Sequence, residues 1–296
     1  MSTTGDSSKS HALRDEIAEL ERRLEAAKAK LKDSNAIGDI LPKPSKVLQS
    51  VGPLSTSSHH FLLLLSDSAL PLGSFAFSSG LESYLAHTRS SSSFPAFLGF
   101  SLSSYASTTL PFVLAAHRNV LDLVELDDTL DAAIMCTVGR RASVAQGRAL
   151  LSIWDRSFSS AKPAGASAVH VQALKEFSVL LRGTSTNVSY DLPTASAHLA
   201  PLFGAISRIL GIGLQQTAYI FMLSHVKALL SAAVRASIFG PYHAQKVLAS
   251  KEVQEGIQKV IEQHWDTTIE DAGQTVPVMD LWVGRHEMLY SRIFNS

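Results

Sequence analysis

The sequence predicts an all-α fold, a single-domain helical bundle of about 8–10 helices with a coiled-coil-like N-terminal helix and a flexible linker in front. Three observations carry that expectation. Ala, Leu and Ser recur at helical spacing across residues 60–296, while strand-like alternation is rare. Gly and Pro fall between those stretches, at Pro71-Leu72-Gly73, Pro163-Ala164-Gly165, Gly183 to Asp191, Gly211 to Gly213 and Gly240-Pro241. Charge is concentrated at one end. From His11 to Lys32, 11 of 22 residues are charged, whereas residues 60–296 carry 17 basic and 18 acidic residues in 237, about 15%.

The N-terminal element comes first. Leu13, Ile17, Leu20, Leu24, Ala27 and Leu31 follow the alternating four- and three-residue spacing of a heptad seam. Glu19 can meet Arg22 and Arg23, and Glu25 can meet Lys28, one helical turn away. This reads either as a short coiled coil that self-associates or grips a partner, or as a lone amphipathic helix. Asp33 to His59 holds Pro42, Pro44, Pro53, Gly38, Gly52 and a Ser/Thr cluster at 55–58, and reads as a linker. The domain boundary therefore falls between residues 59 and 60. Within 60–296 the pattern predicts helices over 79–88, 94–106, 111–124, 129–157, 168–182, 194–210, 214–237 and 242–264.

Composition excludes several function classes. With 26 Lys+Arg against 26 Asp+Glu the net charge is zero, without the basic footprint of a nucleic-acid binder. The single cysteine, Cys136, excludes an intramolecular disulfide framework and a cysteine-rich zinc site. The first 35 residues contain Asp6, Lys9, Arg14, Asp15 and Glu16 and no apolar stretch. The expectation is no secretory signal and a cytoplasmic protein. Two uncharged runs, Ser90 to Ala116 and Ile209 to Val226, read as buried bundle helices rather than membrane spans. The first is broken by Pro95 and Pro111, and the second contains Gln215, Gln216 and His225.

Catalytic signatures are absent. No lysine follows a glycine, so there is no Walker A loop, and neither a dinucleotide-binding G-x-G-x-x-G nor a G-x-S-x-G elbow occurs. Ser224 to Lys227 matches S-x-x-K without its companion motifs. The 11 histidines show no H-x-H or H-x-x-x-H spacing, and no metal site is predicted. His286-Glu287 is the best polar pair, and reads as a hydrogen-bonding handle in a docking tail.

The most unusual segment runs from Leu62 to Glu82. An apolar stretch reaches Asp67, Pro71 and Gly73 make a turn, and Ser78 or Ser79 can cap a new helix. Glu82 lies three residues after Ser79, the spacing of a capping box. Phe75 and Phe77, held on the Gly turn, are candidates for a contact site.

Leu65, Asp67, Pro71, Gly73, Ser74, Phe75, Ser78, Gly80, Leu81 and Glu82 make this segment similar to the corresponding turn of the urease accessory protein UreF family. Three further blocks agree in order. Arg140-Arg-Ala-Ser143-Val-Ala-Gln146-Gly147-Arg-Ala-Leu150 resembles the family's R-R-A-S-x-A-Q-G helix. Ser231-Ala-Ala-Val-Arg235 with Gly240-Pro241 resembles its S-A-A-V-R and G-P block, typical of eukaryotic members. His286-Glu287-Met-Leu-Tyr290-Ser291-Arg292-Ile-Phe294-Asn-Ser296 resembles its C-terminus. The departures are Thr137 and Gly139, where the family pattern leads one to expect Asn and Ala. Residues 1–59 have no counterpart in it.

The resemblance implies a non-enzymatic, all-helical nickel-insertion chaperone subunit. Such a subunit homodimerises, binds UreD (also called UreH), recruits or regulates the GTPase UreG, and serves the urease apoprotein through that complex. It implies no cofactor of the chain's own: nickel is the cargo, and GTP sits on the partner GTPase. It also implies that Phe75, His286, Glu287, Tyr290, Ser291, Arg292, Phe294 and Ser296 face UreD, with Arg292 and Phe75 near each other. Arg235, Gly240 and Pro241 become dimer- or GTPase-facing candidates.

The residue types from Asp266 to Ser296 suit a docking tail that orders on binding. Val278, Met279, Leu281, Trp282, Leu289, Tyr290, Ile293 and Phe294 supply apolar anchors among five acidic and two basic residues. Arg235 reads as an arginine offered to the GTPase in trans, or as an internal salt bridge or dimer contact. Two rival readings stand beside this one. A helical-bundle enzyme with an apolar small-molecule pocket would need an acid/base pair converging in a cavity. A generic coiled-coil adaptor would depend on residues 11–32.

Overall fold

A computed structural model of the chain describes residues 56–88, 93–184 and 195–295, together with Glu19, Arg22, Arg23 and Glu25. The chain divides into two compact units, residues 1–50 and 51–296. In the first, the four described residues are helical, and Glu19 pairs with Arg22 and Arg23 at 3.2 Å. The predicted heptad residues and the linker over 33–55 lie outside the described residues.

The described residues of the second unit are all-α, with no strand and eleven helices longer than one turn. These are α1 Thr56–Ser66, α2 Leu81–His87, α3 Phe94–Arg118, α4 Leu123–Ala133 and α5 Thr137–Ile153. They continue with α6 Ala168–Thr184, α7 Leu199–Ile209, α8 Leu214–Arg235, α9 Pro241–Leu248, α10 Lys251–His264 and α11 Val278–Arg285. The helix α5 runs on through a π-helical turn, Trp154–Phe158. The first helix begins at Thr56, inside the stretch read as linker, because the apolar run Phe61 to Leu65 buries one face against α8.

The centre of the bundle is α3, which packs on α7, α8 and α10. Phe97, Leu110, Phe112, Val113 and Leu114 of α3 are fully enclosed, as is nearly every residue of α7 from Ala200 to Ile206. By length and composition α3 and α8 could cross a membrane. Here 67% and 61% of their apolar windows are buried inside the body, the placement of core helices.

The expected break at Pro111 does not occur: α3 runs through it. A proline inside a helix removes one N–H and leaves the carbonyl four residues earlier without its partner. That carbonyl belongs to Ser107, and the N–H of Gly273 donates to it at 3.2 Å. Thr275 adds a side-chain hydrogen bond to Ser107 Oγ at 3.0 Å. The segment joining α10 to α11 therefore takes up the position that Pro111 vacates, and it is tied to the middle of α3.

Two predicted helices are each divided. The stretch 242–264 splits at Ser250, whose hydroxyl accepts from the Val253 N–H and caps α10. The stretch 129–157 splits at Ile134 to Cys136, where the backbone is extended although no Gly or Pro marks it. The helix expected from 194 starts at Leu199, for reasons that lie in a neighbouring helix and are given below.

Candidate functional site

The turn after α1 reverses the chain at Gly73, whose φ of 72° is open to glycine at little cost. One 3₁₀ turn, Ser74–Ala76, follows and leaves the Phe75 ring 66% exposed. Two further positive-φ residues, Ser79 and Gly80, lead into α2. Gly80 has a second constraint: a Cβ there would lie 3.1 Å from the Val283 backbone nitrogen of α11. The turn and the C-terminal helix are thus in backbone contact.

The N-cap of α2 is Gly80, and the Ser78 hydroxyl, not that of Ser79, accepts from the Glu82 N–H at 3.4 Å. The reciprocal half of the expected capping box is not made. The Glu82 carboxylate instead accepts from the His286 Nε2–H at 2.8 Å, the Ile293 N–H at 2.7 Å and the Phe294 N–H at 3.2 Å. Three donors from the tail, two of them backbone groups with few alternatives, outweigh one N–H of its own helix. His286 is fully buried, and donation through Nε2 leaves its Nδ1 buried without a hydrogen-bond partner.

Arg235, the last residue of α8, completes the arrangement. Its guanidinium donates to the Phe75 carbonyl and stands 4.4 Å from the centroid of the buried Phe294 ring. The Asn295 N–H donates to the Ala76 carbonyl at 2.7 Å. From α5, Arg141 forms an ion pair with Glu287. The turn, the end of α8, the R-R-A-S helix and the tail therefore meet in one clasp, although up to 212 residues separate its partners.

Most of the sequence-predicted residues belong to this clasp or its surface. Phe75, Gly80, Glu82, Arg235, His286, Glu287 and Phe294 hold it together. Tyr290 is fully exposed, as large apolar side chains rarely are, and Met288 and Ile293 are 79% and 62% exposed. Ser291 and Arg292 are exposed beside them. Phe75 and Arg292, expected near each other, are both exposed, and Arg235 and Asn295 hold the Phe75 turn. Arg235 likewise is engaged within the chain, by hydrogen bonds and a ring contact rather than a salt bridge. Gly240 and Pro241 open α9, with Pro at its first turn, and take no part in the clasp's hydrogen bonds. Ser296 lies outside the described residues.

A second polar centre went unnoticed in the sequence. The buried Asp127 carboxylate of α4 accepts the N–H groups of Ser196 at 2.6 Å, Ala197 at 3.0 Å and His198 at 2.6 Å. It thereby caps α7 from outside, places a negative charge at its N-terminus, and delays its start to Leu199. Ala197, at φ 69°, is held in a conformation that non-glycine residues rarely adopt. The His198 Nε2–H donates to Asp131 at 2.9 Å, and Ser143 meets Nδ1 at 3.0 Å. Arg140 donates to the same Asp131 carboxylate. Partial burial works against ionisation of Asp131, yet hydrogen bonds from Arg140 and His198 hold its pKa below the usual value. The four-residue spacing of Asp127 and Asp131, one helix face, was the available signal.

Ser143 also lines a cleft of about 190 Å³, with Gln146, Tyr105, His225, Cys136 and Met279. The His225 ring stacks on Tyr105 at 4.0 Å and its Nε2 meets Ser101 Oγ at 2.8 Å. Burial lowers the His225 pKa to about 3 and raises that of the Tyr105 phenol. Ser143, His198 and Asp131 form a hydrogen-bonded set of which Ser143 lines the cleft. Ser143 sits mid-helix, however, where its neighbours' N–H groups are spent on helix bonds and none is left to receive an oxyanion. Among the described residues, no three His, Cys, Asp or Glu side chains cluster to hold a metal ion.

The Asp127–His198 junction lies inside the stretch that a known family's model matches. The family model described as UreF matches residues 88–251. A fission-yeast protein (Schizosaccharomyces pombe) named as urease accessory protein UreF-like is 35% identical over 244 residues, covering 82% of this chain and 99% of the relative. Urease accessory protein UreF of the bacterium Paenarthrobacter aurescens is 32% identical over 236 residues, covering 78% and 95%. Urease accessory protein F of rice (Oryza sativa subsp. indica) is 30% identical over 234 residues, covering 78% and 82%.

Proposed function

The chain belongs to the UreF family of urease accessory proteins, and from that premise we propose that it is a nickel-insertion chaperone subunit of a urease maturation complex. Membership makes it an accessory protein rather than an enzyme. In the proposed reading it dimerises, binds a UreD-type (UreH-type) subunit through the clasp, and with it recruits the GTPase UreG in the cytoplasm. Nickel is the cargo and GTP belongs to the GTPase; the chain needs no cofactor of its own.

The observation that carries this reading is the clasp. It draws the turn, the end of α8 and the tail together by backbone and charge-assisted hydrogen bonds, and turns Phe75, Met288, Tyr290 and Ile293 outward. Aromatic and aliphatic anchors on a fixed backbone, beside an exposed arginine, are the composition of interface hot spots. Arg235 acts in this reading as the brace of that surface, so its effect on GTP hydrolysis is indirect.

Deleting residues 286–296 removes the tail side of the clasp. Co-purification with the UreD-type subunit is expected to be lost, and nickel-dependent urease activation with it. Retained co-purification would sink the reading.

A further inference from the structure

Glu82 lies at the root of the proposed docking surface but does not belong to its exposed face. Its carboxylate reaches both ends of the tail's last stretch, His286 on one side and Ile293-Phe294 on the other. Two of the three donors are backbone N–H groups, so this contact fixes the path of the main chain rather than one rotamer. Between the two attachment points the tail arches outward, and Met288 and Tyr290 stand on the arch. The carboxylate therefore sets where those anchors sit.

The docked tail also carries an uncompensated defect. His286 is fully buried with Nδ1 unpartnered, which costs free energy as long as the tail is docked. The remaining attachments are the Asn295–Ala76 hydrogen bond, the Phe294 ring, buried in the core beneath Arg235, and the exposed Arg141–Glu287 pair. With residues 287, 288 and 290–293 exposed, such a segment opens more readily than the enclosed core helices.

We propose that Glu82 is a positioning residue, a latch that selects the docked conformation of residues 286–295 and thereby sets the affinity of the surface for its partner. The proposal rests on the reading above for the partner's identity, but not for the latch itself. Only the docked fraction of the chain presents Met288, Tyr290 and Ile293 together. Apparent affinity falls in proportion as that fraction falls.

The test uses the full chain carrying Glu82→Ala, and Glu82→Gln as a variant of nearly unchanged size. Hydrogen exchange of peptides covering 286–295 is expected to accelerate roughly tenfold or more in Glu82→Ala. Peptides from α3, α7 and α8 should keep wild-type protection. Affinity for the UreD-type subunit should drop by the factor by which the docked fraction falls, and Glu82→Gln should fall between.

A tether separates positioning from direct contact. The Asn295 N–H donates to the Ala76 carbonyl, so the two backbones are in direct contact and a disulfide introduced between these positions can tether the tail. Ala76→Cys with Asn295→Cys in the Glu82→Ala chain should restore affinity when oxidised and lose it when reduced. Wild-type exchange of the tail in Glu82→Ala overturns the latch. Faster exchange with unchanged affinity, or a formed tether that fails to rescue, overturns the coupling. Failure of the unaltered chain to bind the UreD-type subunit overturns the proposed function instead, while the exchange result still decides the latch.

Discussion

Asp127 and Glu82 do the same thing in two places. Each is a helix-borne carboxylate that accepts backbone N–H groups from a segment far along the chain. At the junction, everything around Asp127 is closed. Ala197 and His198 are fully buried, His198 is bonded at both ring nitrogens, and the segment leads straight into the buried α7. At the clasp, the segment that Glu82 holds carries three large apolar side chains outside, Met288, Tyr290 and Ile293, and one buried nitrogen unpaired. Identical chemistry therefore builds a foundation in one region and a presented surface in the other. What differs is where the side chains between the anchored amides point.

The largest expected effect lies on the closed side. Gly147 of α5 faces the 197–199 segment so closely that a Cβ would lie 2.6 Å from the His198 carbonyl carbon and 2.8 Å from the Leu199 nitrogen. Those atoms are backbone, pinned by Asp127, and cannot step aside. Gly147→Ala should therefore cost about 3 kcal/mol, the upper end for overpacking. Chemical unfolding would measure it as a lower midpoint at unchanged slope. Near wild-type stability would mean that the junction is looser than its hydrogen bonds imply, and the contrast with the clasp would weaken.

Much of this architecture could be read from the sequence, and the failures have a common cause. Helical spacing placed the bundle, because burial of one face leaves a periodic trace along the chain. The family blocks placed Phe75 and the tail on one surface, whereas Arg235, expected to face a dimer partner or the GTPase, joins them only through the fold. What escaped were features that depend on partners distant in sequence. Pro111 looks like a break until Gly273 fills the carbonyl it frees. Ser79 and Glu82 look like a capping box until the tail competes for the carboxylate. Asp127, Asp131 and His198 belong to no motif, and only folding brings them together. The split at Ile134 to Cys136 has no turn residue to announce it.

A second test concerns pH and again separates the regions. Burial lowers the pKa of His117 to about 4 and that of His225 to about 3, whereas both would titrate near 6.5 in the unfolded chain. Between those values the unfolded chain binds the extra protons. Stability should therefore fall as pH drops below about 6.5, by up to about 1.4 kcal/mol per pH unit for each ring. Both rings sit in the body: His117 donates to the Ile212 carbonyl and His225 lines the cleft. Unfolding free energies at pH 7 and 5.5 should show this slope, and His225→Phe should remove about half of it. An unchanged slope in that variant would show that His225 is not held neutral by the fold.

The smallest expected effect on stability falls on the open side, and it is the most telling one. Tyr290 has no burial to lose, and Phe75 keeps only a third of its surface covered, while its carbonyl, not its ring, receives the Arg235 hydrogen bond. Replacing both with Ala should change the unfolding free energy by no more than about 0.5 kcal/mol, as for other surface positions. Affinity for the UreD-type subunit should fall by about 2 kcal/mol or more, as when hot-spot aromatics are truncated. If the double variant unfolds early, the rings belong to the core and the clasp is another foundation. If it is stable and binds normally, the exposed anchors serve some other surface. Stability kept and binding lost is the pattern of side chains retained for a partner, and the junction residues should not be able to produce it.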